Sequence, residues 1–261
     1  MPSLPYLVIV VVGAVPAYDL TRGGMGKGYK EKTCVYCGVP KASTTGDHVF
    51  AREFLPVQHR NRLPKVPACA ECNGSKAKLE HYLLTLLPFG GNHPASNSIL
   101  SEAVPRRLSR NLKLHQALAR GQGTVWVQNK GMVRPSIAIP FDGEKLAALF
   151  VLITRGMVAH QWGVQIPQDY YVGAGVLTPA GEAITAPLLA ANANARAAGS
   201  FGDGLIEYEG SQAVDNPYLT VWRFRIYGGL MFADGNSQGG GTSFIWAISA
   251  RLPLPGLFAG S

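Results

Sequence analysis

Cys34-Val35-Tyr36-Cys37 and Cys69-Ala70-Glu71-Cys72 contain all four cysteines of the chain, with 31 residues between the pairs. Two Cys-x-x-Cys pairs at such a distance read as four thiolates on one tetrahedral zinc, each pair making a turn that points both sulfurs inward. Gly38 and Asn73-Gly74 supply small residues where the chain leaves each turn. Two disulfides of a secreted chain, a rubredoxin-like iron site and a redox pair draw on the same residues and stay open on spacing alone. A metal held by free thiols implies a reducing compartment, hence the cytoplasm.

Asp47-His48 lies between the pairs, and Asn73 directly follows the second. Hydrolysis of a phosphodiester near neutral pH needs a deprotonated water, and a histidine such as His48 can take that proton. Negative charge gathers on the pentavalent phosphate and the leaving oxygen, where a divalent cation stabilises it. Mg²⁺ or Mn²⁺ takes hard oxygen ligands, which Asp47 and Asn73 both offer. If Asp47 and His48 share a strand, their side chains point to opposite sides, so a local twist is needed to aim both at one phosphate. Asn73-Gly74-Ser75-Lys76 reads as a helix start with Asn73 as N-cap, continuing through Glu80, Tyr82, Leu83 and Leu86. A helix N-terminus attracts phosphate, and Lys76, Arg52 and Arg62 are the cations expected to contact it. His59 and His81 stand in polar stretches, where a lone histidine rarely ligates a metal.

Cys34-x-x-Cys37-Gly38, Gly46-Asp47-His48-Val49 and Val66-Pro67-Ala68-Cys69-x-x-Cys72-Asn73-x-x-Lys76 occur in the order found in a known family. Together they resemble an HNH endonuclease of the zinc-containing ββα-metal type, over about residues 31–88. The resemblance implies that His48 is the general base and that Asp47 and Asn73 bind the catalytic Mg²⁺ or Mn²⁺. Cys34, Cys37, Cys69 and Cys72 would hold a structural zinc away from the chemistry. Two positions depart from the family pattern. Ala51 stands where a proline is usual, and Pro64-Lys65 stands where a base-orienting asparagine is common, with Asn61 the nearest substitute.

The chain of 261 residues can bury a substantial core, and its charged fraction of 15% is that of a globular protein. The net charge of +8 is uneven: residues 21–120 hold 16 Lys+Arg against 6 Asp+Glu. A basic half that is also the cysteine-bearing half suits a polyanion, and DNA is expected over RNA. A catalytically inactive zinc-ribbon-like module that binds nucleic acid fits the same charge. The expected fold class is α+β: a zinc-clamped module followed by an α+β domain with an antiparallel sheet.

Three segments are expected. Residues 1–28 form an apolar N-terminal segment, read as a strand or a spurious extension; Leu4 to Pro16 is too short to span a membrane and lacks the basic start of a signal peptide. Residues 29–120 form the nuclease module with a basic helical extension from Asn97 to Arg120, in which Arg106, Arg110 and Lys113 recur at helical spacing. Residues 121–261 form an accessory domain of unknown role. There, strands are expected between Thr124 and Ile139, followed by a helix capped by Asp142 with an apolar stripe of Leu146, Leu149, Phe150, Ile153 and Met157. The stretch 186–199 reads as a short helix or linker, 204–209, 218–227, 229–233 and 242–249 as strands, and 235–241 as a loop.

Overall fold

A computed structural model describes residues 6–8, 28–129, 132–191, 195–233 and 244–259. The glycine-rich stretch 235–241 and all of the apolar N-terminal segment except residues 6–8 and 28 lie outside the described residues. In chain order the elements are β1 (Tyr6–Val8), β2 (Thr45–His48), β3 (Lys65–Ala68), α1 (Ala70–Leu86), α2 (Pro94–Arg110), α3 (Leu112–Gly121), β4 (Gly123–Asn129) and β5 (Met132–Pro140). They continue with α4 (Gly143–Trp162), β6 (Tyr171–Gly175), α5 (Pro179–Ala191), β7 (Arg196–Phe201), β8 (Ile206–Gln212), β9 (Thr220–Ile226), β10 (Met231–Ala233) and β11 (Ile245–Ala250). The fold is α+β, with three antiparallel sheets among the described residues. Their strand orders are β10-β1-β5-β4, β6-β11-β9-β8-β7 and β2-β3. Among the described residues no helix is long and apolar enough to cross a membrane.

The cysteine segment folds as a hairpin followed by a helix. β2 pairs with β3 in the register Asp47↔Val66 and His48↔Lys65, and α1 begins two residues after β3. The helix does not start at Asn73 as expected. Its N-cap is Cys69, whose sulfur accepts from the Cys72 amide at 3.4 Å, so Asn73 lies already in the first turn. A sulfur acceptor at the cap performs the role that serine or aspartate usually performs, which the residue type alone does not signal.

α4 organises the core. Asp142 caps it by accepting from the Lys145 amide at 3.1 Å, and Gly163 ends it at φ +67. The apolar stripe of Leu146, Leu149, Phe150, Ile153 and Met157 is almost wholly buried. Gly156 lets this helix approach the strand that carries the histidine: a Cβ there would lie 2.9 Å from Val49 Cγ2. Val49 directly follows His48, so the helix backs the site.

One hydrophobic core runs across the boundary expected at residues 120/121. Phe50, next to Val49, has its ring 5.9 Å from Phe201 and 6.1 Å from Phe224, on strands of the five-stranded sheet. Gln165 donates to the Cys34 carbonyl at 2.8 Å and Gln168 to the Tyr36 carbonyl at 3.3 Å. The second half therefore grips the cysteine loop directly. Burying one phenylalanine contributes about 2–3 kcal/mol, so the shared aromatic cluster resists separation of the two segments.

Two further expectations change. The helix expected from Asn97 to Arg120 is two helices, broken at Asn111, which leaves helical geometry at φ −132, ψ 72 and caps α3 through Leu114 N at 3.1 Å. The stretch 186–199 divides between the end of α5 and the start of β7.

Candidate functional site

The four cysteines are free thiols whose sulfurs all lie within 4.8 Å of one another. Cys37 Sγ and Cys69 Sγ are 3.9 Å apart, close to the roughly 3.8 Å edge of a tetrahedron with zinc–sulfur bonds of about 2.3 Å. Backbone amides also face the sulfurs, with Cys69 N donating to Cys34 Sγ at 3.3 Å. Gly38 turns the first knuckle at φ +72 and donates to the Cys34 carbonyl at 2.8 Å. Four thiols this close cannot all ionise without a cation: burial and then hydrogen bonding with Cys69 and Cys37 push the Cys72 thiol far up. The donor set thus fits a soft divalent metal such as zinc.

The first knuckle reaches the acid through its own loop. Tyr36, between the two cysteines, donates its hydroxyl to Asp47 Oδ2 at 2.6 Å. Burial, and then the Asp47 charge, raise the tyrosine well above its ordinary value, so it stays a donor. Asp47 is itself buried, and the same oxygen lies 3.0 Å from Lys76 Nζ.

Lys76 changes role relative to the expectation. It is wholly buried, and its ammonium contacts three oxygens: Asp47 Oδ2, the His48 carbonyl at 2.8 Å, and Glu80 Oε1 one turn on. An ammonium has three N–H groups, so none remains for a phosphate, and the phosphate contact expected of Lys76 is corrected. Instead the side chain joins α1, which carries Asn73, to the strand that carries Asp47 and His48. Burial pushes the Glu80 carboxyl up to about 7, although Lys76 pulls it the other way.

His48 is half-buried at the end of β2. Burial first, then the charges of Lys65 and Arg52, hold its imidazole below the ordinary histidine value. A neutral ring at pH 7 has a free nitrogen lone pair, the form a general base requires. The ring makes no hydrogen bond to the described residues, so no asparagine among them orients it; Asn61, the nearest substitute, is exposed in the loop between β2 and β3. Asn73 is half-buried one turn before Lys76 on the same face of α1, and its amide side chain also makes no hydrogen bond among the described residues. Arg52 and Arg62 are exposed.

Tyr36, Lys65 and Glu80 were not singled out as site residues by sequence. The Lys76–Glu80 pair has the i, i+4 helical spacing that could have signalled it. Lys65 needed the strand register, and Tyr36 needed the tertiary contact. His59 pairs with Asp203 at 3.4 Å, and the only metal-type cluster among the described residues is the four cysteines. In comparison with known proteins, no family model, no curated protein and no solved structure matches the chain.

Proposed function

We propose that the chain is a metal-dependent HNH-type endonuclease that hydrolyses DNA phosphodiesters, working in the reducing cytoplasm. The observation that carries this reading is the tie made by Lys76. One buried ammonium holds the carboxylate of Asp47, the backbone of His48 and the helix bearing Asn73 in one constellation, braced by Tyr36 to the cysteine cluster.

In this reading His48, neutral at pH 7, removes the proton from the attacking water. The free oxygen of Asp47 and the unengaged amide oxygen of Asn73 hold a hard divalent cation, Mg²⁺ or Mn²⁺. That ion, when bound, stabilises charge on the phosphate and the leaving oxygen. Arg52 and Lys65 flank the imidazole, where they keep it unprotonated and meet the phosphate backbone; Arg62, in the same exposed loop, adds a further contact. The four cysteines hold zinc as scaffold.

A second reading is a catalytically inactive, zinc-ribbon-like module that binds nucleic acid. It is favoured by the occupancy of Asp47, one of whose oxygens is already taken by Tyr36 and Lys76. Supercoiled plasmid incubated with the protein and Mg²⁺, Mn²⁺ or chelator separates the two. Metal-dependent nicking with 3′-hydroxyl and 5′-phosphate ends supports the nuclease; retention of plasmid without nicking under any metal supports the binding module.

A further inference from the structure

Between Glu102 and Asp142 the sequence contains no acidic residue, while it contains seven Lys and Arg. This span covers the end of α2, all of α3 and the β4–β5 hairpin. Arg106 and Arg110 are exposed one turn apart on α2, and Lys113 and Arg120 are exposed two turns apart on α3. None of these four side chains has an ion-pair or hydrogen-bond partner among the described residues. On the five-stranded sheet the arginines are matched: Arg223 and Arg196 share Glu209, and Arg225 meets Glu207. Among the described residues the helix pair thus carries positive charge with no ion-pair partner, unlike the sheet arginines.

Its position is fixed relative to the site. Arg107 Nη1 donates to the Leu84 carbonyl at 2.9 Å, tying α2 to the last turn of α1. The same guanidinium lies within electrostatic reach of Glu53 and Arg60. Glu53 adjoins Arg52, the cation beside His48. Arg107 thus connects α2 to the segment that carries Arg52 and Arg60, where a track of cations begins beside His48. The break at Asn111 divides these cations between two helices.

We infer that α2 and α3 form a docking surface for the phosphate backbone of duplex nucleic acid, extending the track that begins beside His48. It rests on the nuclease reading for the identity of its partner. A cluster of exposed cations with no acid among them in sequence matches a polyanion such as a phosphate backbone. Contacts of this kind position a duplex without reading its sequence.

The test is the variant R106Q/R110Q/K113Q/R120Q, compared with wild type for zinc content and circular dichroism to establish that the exposed changes leave the fold intact. Binding to a long duplex is measured by fluorescence anisotropy over a salt series, in buffer free of Mg²⁺ and Mn²⁺ so that nothing is cut. Each phosphate contact contributes about 0.9 to the slope of log affinity against log salt. The quadruple variant is expected to lose about 3 to 4 from that slope and to bind more weakly at every salt concentration. An unchanged slope overturns the inference, as does binding to phosphatidylserine vesicles in the absence of duplex binding. The outcome is separable from the nuclease reading. A protein that cuts DNA with a slope indifferent to the four changes keeps the nuclease and loses the surface. A protein that binds through these residues but never cuts keeps the surface and loses the nuclease.

Discussion

Lys76→Met removes the ammonium while keeping most of the side chain's bulk. Three oxygens then lose a donor, on Asp47, on the His48 backbone and on Glu80. Removing one partner of a buried ion pair destabilises by about 3–5 kcal/mol, because the remaining charge stays buried. Two features hold the loss to the lower end. Glu80 already titrates at about 7 and takes up a proton readily, and Tyr36 still donates to Asp47. The expected loss at pH 7 is therefore about 3 kcal/mol, a large share of a total that is typically about 5–15 kcal/mol. Combining Lys76→Met with Glu80→Gln removes the second carboxylate, so the double variant is expected to be more stable than the sum of the single losses by about 1–2 kcal/mol. Urea unfolding of the zinc-loaded protein, followed by the fluorescence of the buried Trp222 and Trp246, measures all four corners of the cycle. A loss below about 1 kcal/mol for Lys76→Met, at unchanged denaturant slope, would refute the buried tie.

Other outcomes follow from the same geometry. Glu80 has a folded value raised from 4.5 to about 7, so its contribution to stability is full below the unfolded value and is lost as pH rises toward 7; Glu80→Gln is expected to remove this fall from a urea series run across that window. The acid limb of any cleavage profile is expected to have its midpoint below the ordinary histidine value, since burial, Lys65 and Arg52 lower His48. Arg52→Gln and Lys65→Gln should each shift that midpoint upward, and an unmoved profile would separate the limb from His48. Cys37→Ser is expected to abolish stoichiometric zinc in elemental analysis and to unfold the cysteine segment, because structural zinc binding supplies folding free energy; retention of both would remove the cluster's scaffold role.

The cysteine cluster and the central helix were legible because their signals are local. The pair spacing brings four sulfurs together, and Asp142 followed by an apolar stripe specifies α4 with its cap. The role of Lys76 was not legible, since Gly74-Ser75-Lys76-Ala77-Lys78 is polar and reads as a solvated helix start. Its burial is decided by Asp47 across the hairpin, and the sequence carries no local trace of that contact. The start of α1 was misread for a related reason: a cysteine sulfur caps the helix, so the better capping residue, Asn73, is left with its amide unengaged. β6 escaped notice because Tyr-Val-Gly-Ala-Gly is short and glycine-rich, and it becomes a strand only through pairing with β11. The joint core across residue 120 depends on Phe50, Phe201 and Phe224 meeting, which periodicity along the chain does not encode.

The most direct measurement compares wild type with His48→Ala in single-turnover nicking of supercoiled plasmid with Mg²⁺, both proteins carrying equal zinc. A positioned general base contributes about 10²–10⁴-fold, so the account predicts a metal-dependent wild-type rate reduced at least about 10²-fold in the variant. A variant that nicks at the wild-type rate would contradict it.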